Sequence, residues 1–138
     1  MPAKDVYHDA VKHALIKDGW TITHDPFRIT YGNHKVYADL GAQRILAAVK
    51  GDEQIVVEIK SFQSDSEIFD FEVAVGQYVF YRSLLERVAP ERTLVMAVPI
   101  RVFTTFFDEP IARPALEDER IRVLAFDPER EVIVKWVM

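Results

Sequence analysis

Ile55-Val56-Val57-Glu58-Ile59-Lys60 is a run of mostly β-branched residues carrying an acid and a lysine two positions apart. Such side chains suit a pleated strand, and the turn-forming Gly51-Asp52 lies just upstream, so the run reads as a buried strand. Side chains alternate along a strand, which puts Glu58 and Lys60 on one face roughly 6.7 Å apart, with Val57 and Ile59 on the other. A carboxylate and an ammonium then project together from the end of a stiff element. Upstream, Val36-Tyr37-Ala38-Asp39-Leu40 reads as an earlier strand, and a sheet pairing would bring the Asp39 carboxylate beside Glu58. Two acids and a lysine are the minimal set for metal-assisted phosphodiester hydrolysis. Mg²⁺ and similar hard cations take carboxylate oxygens, and a lysine beside them can position water or stabilise developing negative charge. An alternating exposed strand also produces Glu-x-Lys, so the spacing by itself equally describes a structural ion pair.

Composition narrows the classes. A chain of 138 residues with 49% hydrophobic content forms one domain with a packed core, residues 1–138. There is no cysteine, which removes disulfides, thiolate nucleophiles and cysteine zinc sites. The four histidines, His8, His13, His24 and His34, have no zinc-ligand spacing. No apolar run approaches the roughly 20 residues that span a bilayer, and Met1-Pro2-Ala3-Lys4-Asp5 is no signal peptide, so a soluble, cytoplasmic protein is expected. Seventeen basic and twenty-two acidic side chains give a net charge of −5, which argues against broad charge-driven adhesion to nucleic acid and leaves room for a small basic patch.

Outward from the Glu58 strand, residues 5–18 place Val6, Tyr7, Ala10, Val11, Ala14 and Leu15 on one helical stripe, with Gly19 as its stop. On that helix His8 lies beside the stripe's edge, and Asp9 and Lys12 point further toward solvent; His8 is the helix's candidate contribution to a site. Residues 20–23 and 27–31 alternate as strands around Asp25-Pro26, and Gly32-Asn33 turns into the Asp39 strand. Residues 44–50 read as strand or helix, and the short Gly51-Asp52 turn into the next strand favours a hairpin. A helix is expected over 66–87, about 33 Å long at 1.5 Å per residue. Its apolar residues surround the axis, so one side is expected to cover the sheet and another to meet a second copy or a partner protein. Asp70, Gln77 and Tyr81 align on it, and Gln77 and Tyr81 form a Gln-x-x-x-Tyr pair one turn apart, suited to bonding phosphate, metal-bound water or a catalytic side chain. Residues 93–98 read as a buried strand parallel to the first, since a helix separates them. A short helix over 102–107 and two closing strands, 121–126 and 131–137, complete the chain.

The order helix, strands, Glu-x-Lys strand, helix, strand resembles the core of restriction-endonuclease-like nucleases of the Asp…(Asp/Glu)-x-Lys class. This resemblance implies an α/β fold, also describable as α+β, with a central mixed β-sheet flanked by helices. It implies Asp39 and Glu58 as ligands of Mg²⁺ or Mn²⁺, Lys60 as the catalytic amine, and Gln77 and Tyr81 as the helix motif of the exonuclease branch. Ala38 stands where a proline often precedes the first acid. Over nearly its whole length the chain is also similar to the XisH family, the fdxN-element excision controlling factors. The similarity rests on Pro2-Ala3-Lys4-Asp5, Tyr7-His8-Asp9-Ala10-Val11, residues 18–26, Val57-Glu58-Ile59-Lys60-Ser61-Phe62, Gly76-Gln77-Tyr78, Phe126-Asp127-Pro128 and Trp136. It implies a role in programmed DNA excision and rearrangement, with DNA, a companion small protein of the XisI type and a site-specific recombinase as partners. Two functions follow as expectations: a metal-dependent endodeoxyribonuclease, or a catalytically silent regulatory module acting through a partner. A homodimer is a further expectation, from Phe69 and Phe80.

Overall fold

A strand with apolar residues on both faces has two sides to hide, so the runs around Val57 and Val95 must lie inside a sheet covered on both sides. The computed structural model of the chain, which describes residues 6–36 and 45–137, places them there. The strands are β1 (Thr21–His24), β2 (Ile29–Tyr31), β3 (His34–Val36), β4 (Ile45–Lys50), β5 (Glu53–Ile59), β6 (Thr93–Pro99), β7 (Val123–Asp127) and β8 (Val132–Val137). Six of them form one mixed sheet in the order β1-β4-β5-β6-β7-β8. Its centre, β5-β6-β7, is parallel, and β4 and β8 flank it antiparallel. The helices are α1 (His8–Lys17), α2 (Glu67–Val88), α3 (Ile100–Thr104) and α4 (Arg113–Asp118). The expected fold class, a mixed sheet flanked by helices, is what the chain adopts.

Strand parity sorts the core into two halves. Ile45, Ala47, Val56, Leu94, Met96 and Val98 pack against Phe71, Ala74, Tyr78, Tyr81 and Leu85 of α2 and against Val102, Phe106, Phe107 and Leu116 from the β6–β7 crossover. Leu46, Ala48, Ile55, Val57, Ile59, Val95, Ala97, Leu124 and Phe126 point the opposite way, onto Val11 and Leu15 of α1 and onto Trp20. The molecule thus has three layers, with α1 alone on one face. The long helix starts where its local chemistry says it should. Ser66 caps it, its hydroxyl accepting from the Phe69 amide at 3.1 Å. Asp70 accepts from the Ser64 hydroxyl at 2.7 Å and the Ser64 amide at 3.1 Å, so this carboxylate is engaged in shaping the helix entry.

The expected β4–β5 hairpin forms, with Lys50 opposite Glu53 around Gly51-Asp52. Gly51 has φ 60°, the positive value that the first position of a primed two-residue turn requires. Two expectations change. Of the strand expected over 36–40 only Val36 is described, and it closes β3, which among the described residues pairs with β2 in a separate two-stranded sheet packed on α2. Both ladder positions beside Glu58 are taken, by Ile45 and Met96; Asp39 lies outside the described residues. The helix expected over 102–107 is instead α3 followed by a 3-10 turn, Phe106–Asp108, and α4 follows where Pro114 occupies the first turn. Proline there loses no helical hydrogen bond and presets φ, so it starts a helix that pattern reading treats as punctuation. No described helix is long and apolar enough to cross a membrane.

Candidate active site

Glu58 and Lys60 sit at the carboxyl end of β5, next to the parallel β6, where open sheets with crossover helices place their ligand crevices. The ladder continues past the strand, the Lys60 amide donating to the Ala97 carbonyl at 2.9 Å. Both side chains have the parity of Val56, so they point toward α2. There the Lys60 ammonium lies 2.9 Å from Glu58 Oε1 and donates to the Gln77 amide oxygen. Three residues singled out from separate patterns, an alternating pair on a strand and one helix position, therefore meet at a point.

Burial makes this meeting expensive and informative. Glu58 is 1% exposed and Lys60 8%. Charges so far from water persist only when paired, and the ion pair with a neutral amide on its cationic end is the arrangement that holds them. Tyr81, one turn beyond Gln77, is 4% exposed and belongs to the same α2-side core.

His8 reaches this end of the sheet from the opposite layer. Tyr7, just before it, packs edge-on against Phe126 at the end of β7 with ring centroids 5.6 Å apart. The Tyr7 hydroxyl accepts from Gln63 Nε2 at 3.3 Å, in the loop after Lys60. The amphipathic pattern put His8 at the edge of the apolar stripe; it is in fact 1% exposed, with Nε2 2.8 Å from Asp25 Oδ1. Lys12 holds the other oxygen of Asp25 at 2.9 Å. Burial alone would raise the Asp25 carboxyl, but the hydrogen bonds from Lys12 and His8 and their charges together outweigh it and hold it below the ordinary carboxylate value. Asp25 leads into Phe27, whose amide donates at 2.8 Å to the carbonyl of Ile45, the residue opposite Glu58. The His8–Asp25 pair is thus linked through the Phe27 backbone to Ile45, the strand neighbour of Glu58.

Sequence reasoning missed two participants. Asp25 reads as a turn residue before proline, and nothing nearby marks it as the partner of a helix histidine. Arg101 donates to the carbonyls of Ser61 at 2.7 Å and Phe62 at 3.2 Å, holding the loop that follows Lys60. Phe62 has φ 54°, a left-handed conformation that side chains other than glycine, asparagine and aspartate seldom adopt. Its ring is locked against Phe106 and Phe107, with centroids 6.3 and 5.6 Å away. An arginine forty residues downstream carries no local sign of this duty.

Among the described residues, no group of three or more histidine, aspartate or glutamate side chains is placed to hold a metal ion. Glu58 offers one hard oxygen donor of the kind that suits Mg²⁺ or Mn²⁺, and the second expected donor, Asp39, lies outside the described residues.

Residues 1–134 match the family model described as XisH protein. No curated protein matches the chain. Among solved structures it is similar to the crystal structure of an XisH family protein from Nostoc punctiforme, with a TM-score of 0.89 and 39% identity over 97% of this chain and 100% of that one. It is equally similar in fold to the crystal structure of a fdxN element excision controlling factor protein from Anabaena variabilis, with a TM-score of 0.89 and 38% identity over 98% of this chain and 100% of that one. Full-length agreement in both sequence and fold makes this chain a member of the XisH family.

Proposed function

We propose that this protein acts in the control of DNA element excision as a metal-dependent endodeoxyribonuclease with a restriction-endonuclease-like core. The observation that carries the reading is the convergence of Glu58, Lys60 and Gln77 at the carboxyl end of β5. Asp39 and Glu58 would hold Mg²⁺ or Mn²⁺, which supplies Lewis-acid polarisation of a phosphodiester and a more acidic bound water. The chain's own residues do the positioning. Gln77 orients the Lys60 ammonium, which lies beside the carboxylate end of the site and is aimed at charge developing on a phosphoryl oxygen. In this reading Tyr81, one helical turn from Gln77, and His8, paired with Asp25, would complete the site.

The test is incubation of supercoiled DNA with the full chain across a screen of divalent cations, beside Asp39→Ala and Lys60→Gln. Cleavage by the wild type that both variants lose, with unchanged circular dichroism, is the expected result. Binding of Mn²⁺ measured by calorimetry should weaken in Asp39→Ala regardless of turnover. Equal cleavage by all three proteins would dispose of the mechanism.

The near-complete burial of Glu58 and the net charge of −5 favour a second reading, a regulatory module that keeps the fold and works through a companion protein of the XisI type or a recombinase. Its signature is stable co-purification with that partner and no cleavage with any cation.

A further inference from the structure

The outer face of α2 carries a pattern unrelated to the candidate site. Phe69, Val73, Gly76, Phe80, Ser83 and Arg87 follow one another in alternating steps of four and three residues, the spacing of a coiled-coil seam, and all are exposed. Phe69 is 60% exposed, Phe80 53% and Val73 38%, a row of large apolar groups in open solvent. In its midst stands Gly76. Glycine inside a helix is less stable than alanine, yet a Cβ built there would meet nothing within 4 Å. Among the described residues no contact accounts for a glycine at that position.

We propose that this seam is a homodimer interface, in which α2 packs antiparallel against α2 of a second copy about a two-fold axis at the height of residue 78. The seam is its own complement under that operation. Phe80 falls on the second copy's Gly76, Val73 on its Ser83, and Phe69 on its Arg87, each pair occurring twice as an isologous contact demands. A bulky side chain meets a small one at the centre, and at the ends a guanidinium lies over an aromatic ring. Charge agrees with shape. Glu72 flanks the seam in the N-terminal half, within reach of the second copy's Arg87 in the C-terminal half, and antiparallel helices also oppose their dipoles favourably. A parallel pairing would set Phe80 on Phe80, Arg87 on Arg87 and leave a gap between two glycines, so the sequence of sizes selects the antiparallel arrangement. The seam is roughly 27 Å long at 1.5 Å per residue. One helix pair of that length buries less than the ~800 Å² per partner of a standard interface, so the dimer is expected to be a concentration-dependent one. This interface does not depend on whether the Glu58 site is catalytic.

Sedimentation equilibrium of the full chain, up to about 100 µM, tests it. The wild type should approach twice its 15.9 kDa chain mass. Phe80→Glu and Gly76→Leu should each raise the dissociation constant at least about tenfold, while Gly76→Leu, a better helix former, keeps or raises the monomer's melting temperature. Orientation is read by cross-linking, since the chain has no cysteine. Under mild oxidation a mixture of Val73→Cys and Ser83→Cys proteins should form a covalent dimer, and Ser83→Cys alone should not. A wild type that stays at one chain mass, a dimer indifferent to both seam substitutions, or cross-linking between two Ser83→Cys copies would each overturn the proposal.

Discussion

The Glu58–Lys60 pair is a local instability kept in a stable sheet. A buried ion pair recovers little more than its desolvation penalty, whereas removing one partner leaves the other charge buried without its counter-ion. Lys60→Met is therefore expected to destabilise the fold by about 3–5 kcal/mol, and the double replacement Glu58→Leu with Lys60→Met to be neutral or stabilising by about 1–4 kcal/mol. Urea unfolding of the three proteins measures both, and a double variant weaker than Lys60→Met would show that the pair is structural ballast after all. Asp25 makes the second residue-scale prediction. Its carboxyl is held below the ordinary value of 3.8, so the stabilisation it contributes is fully present above that pH and is lost as pH falls through the lower folded value. Wild type should exceed Asp25→Asn in urea midpoint at pH 6, with the difference shrinking below about pH 4. A gap that stays constant from neutral to acid pH would remove the ion-pair explanation.

At the scale of elements, α2 explains more of the molecule than any other segment. It forms the crossover between β5 and β6, supplies Gln77 and Tyr81, and buries Tyr78 completely. The Tyr78 hydroxyl donates to the Leu94 carbonyl at 3.0 Å and accepts from the Arg122 amide at 3.2 Å, stitching the helix to β6 and to the residue before β7. Tyr78→Phe keeps the ring but deprives two backbone groups of their partner, and a loss of about 1–3 kcal/mol is expected in chemical unfolding. At the helix entry, Ser66→Ala removes the cap and should cost about 1 kcal/mol, read as a fall of roughly 3–6 °C in thermal melts. A smaller change would mean that the Ser64–Asp70 contacts already hold the first turn. The same helix shows where pattern reading succeeds. An all-round apolar helix implies two burial surfaces, and the inner one is the core contact with Tyr78 and Leu85.

For the whole molecule, charge sets the terms on which nucleic acid is met. With a net charge of −5, the isolated chain lacks the cationic surplus that drives non-specific adhesion. At physiological salt its affinity for a random DNA duplex should be weaker than roughly 10 µM, measured by fluorescence anisotropy. Tight, salt-sensitive binding of random duplex would contradict this. The three-layer arrangement bears on access. Glu58 and Lys60 face the α2 layer and His8 comes from the α1 layer, and all three are buried, so a substrate could reach them only if the packing at the carboxyl ends of β5 and β6 opens.

What local sequence could determine, it did: periodicity of two set Glu58 and Lys60 on one face, periodicity of 3.6 set Gln77 one turn from Tyr81, and Gly51-Asp52 announced the β4–β5 hairpin. Each of these depends on neighbours within a few residues, where backbone geometry leaves little choice. Long-range pairing was decided only by the folded chain. Ile45 and Met96 take the ladder positions beside Glu58, β2 and β3 leave the main sheet, His8 turns inward to Asp25, and Arg101 holds the loop after Lys60. These are matters of which surfaces are left to cover once the central strands have assembled, and such competition has no signature within any single stretch of sequence.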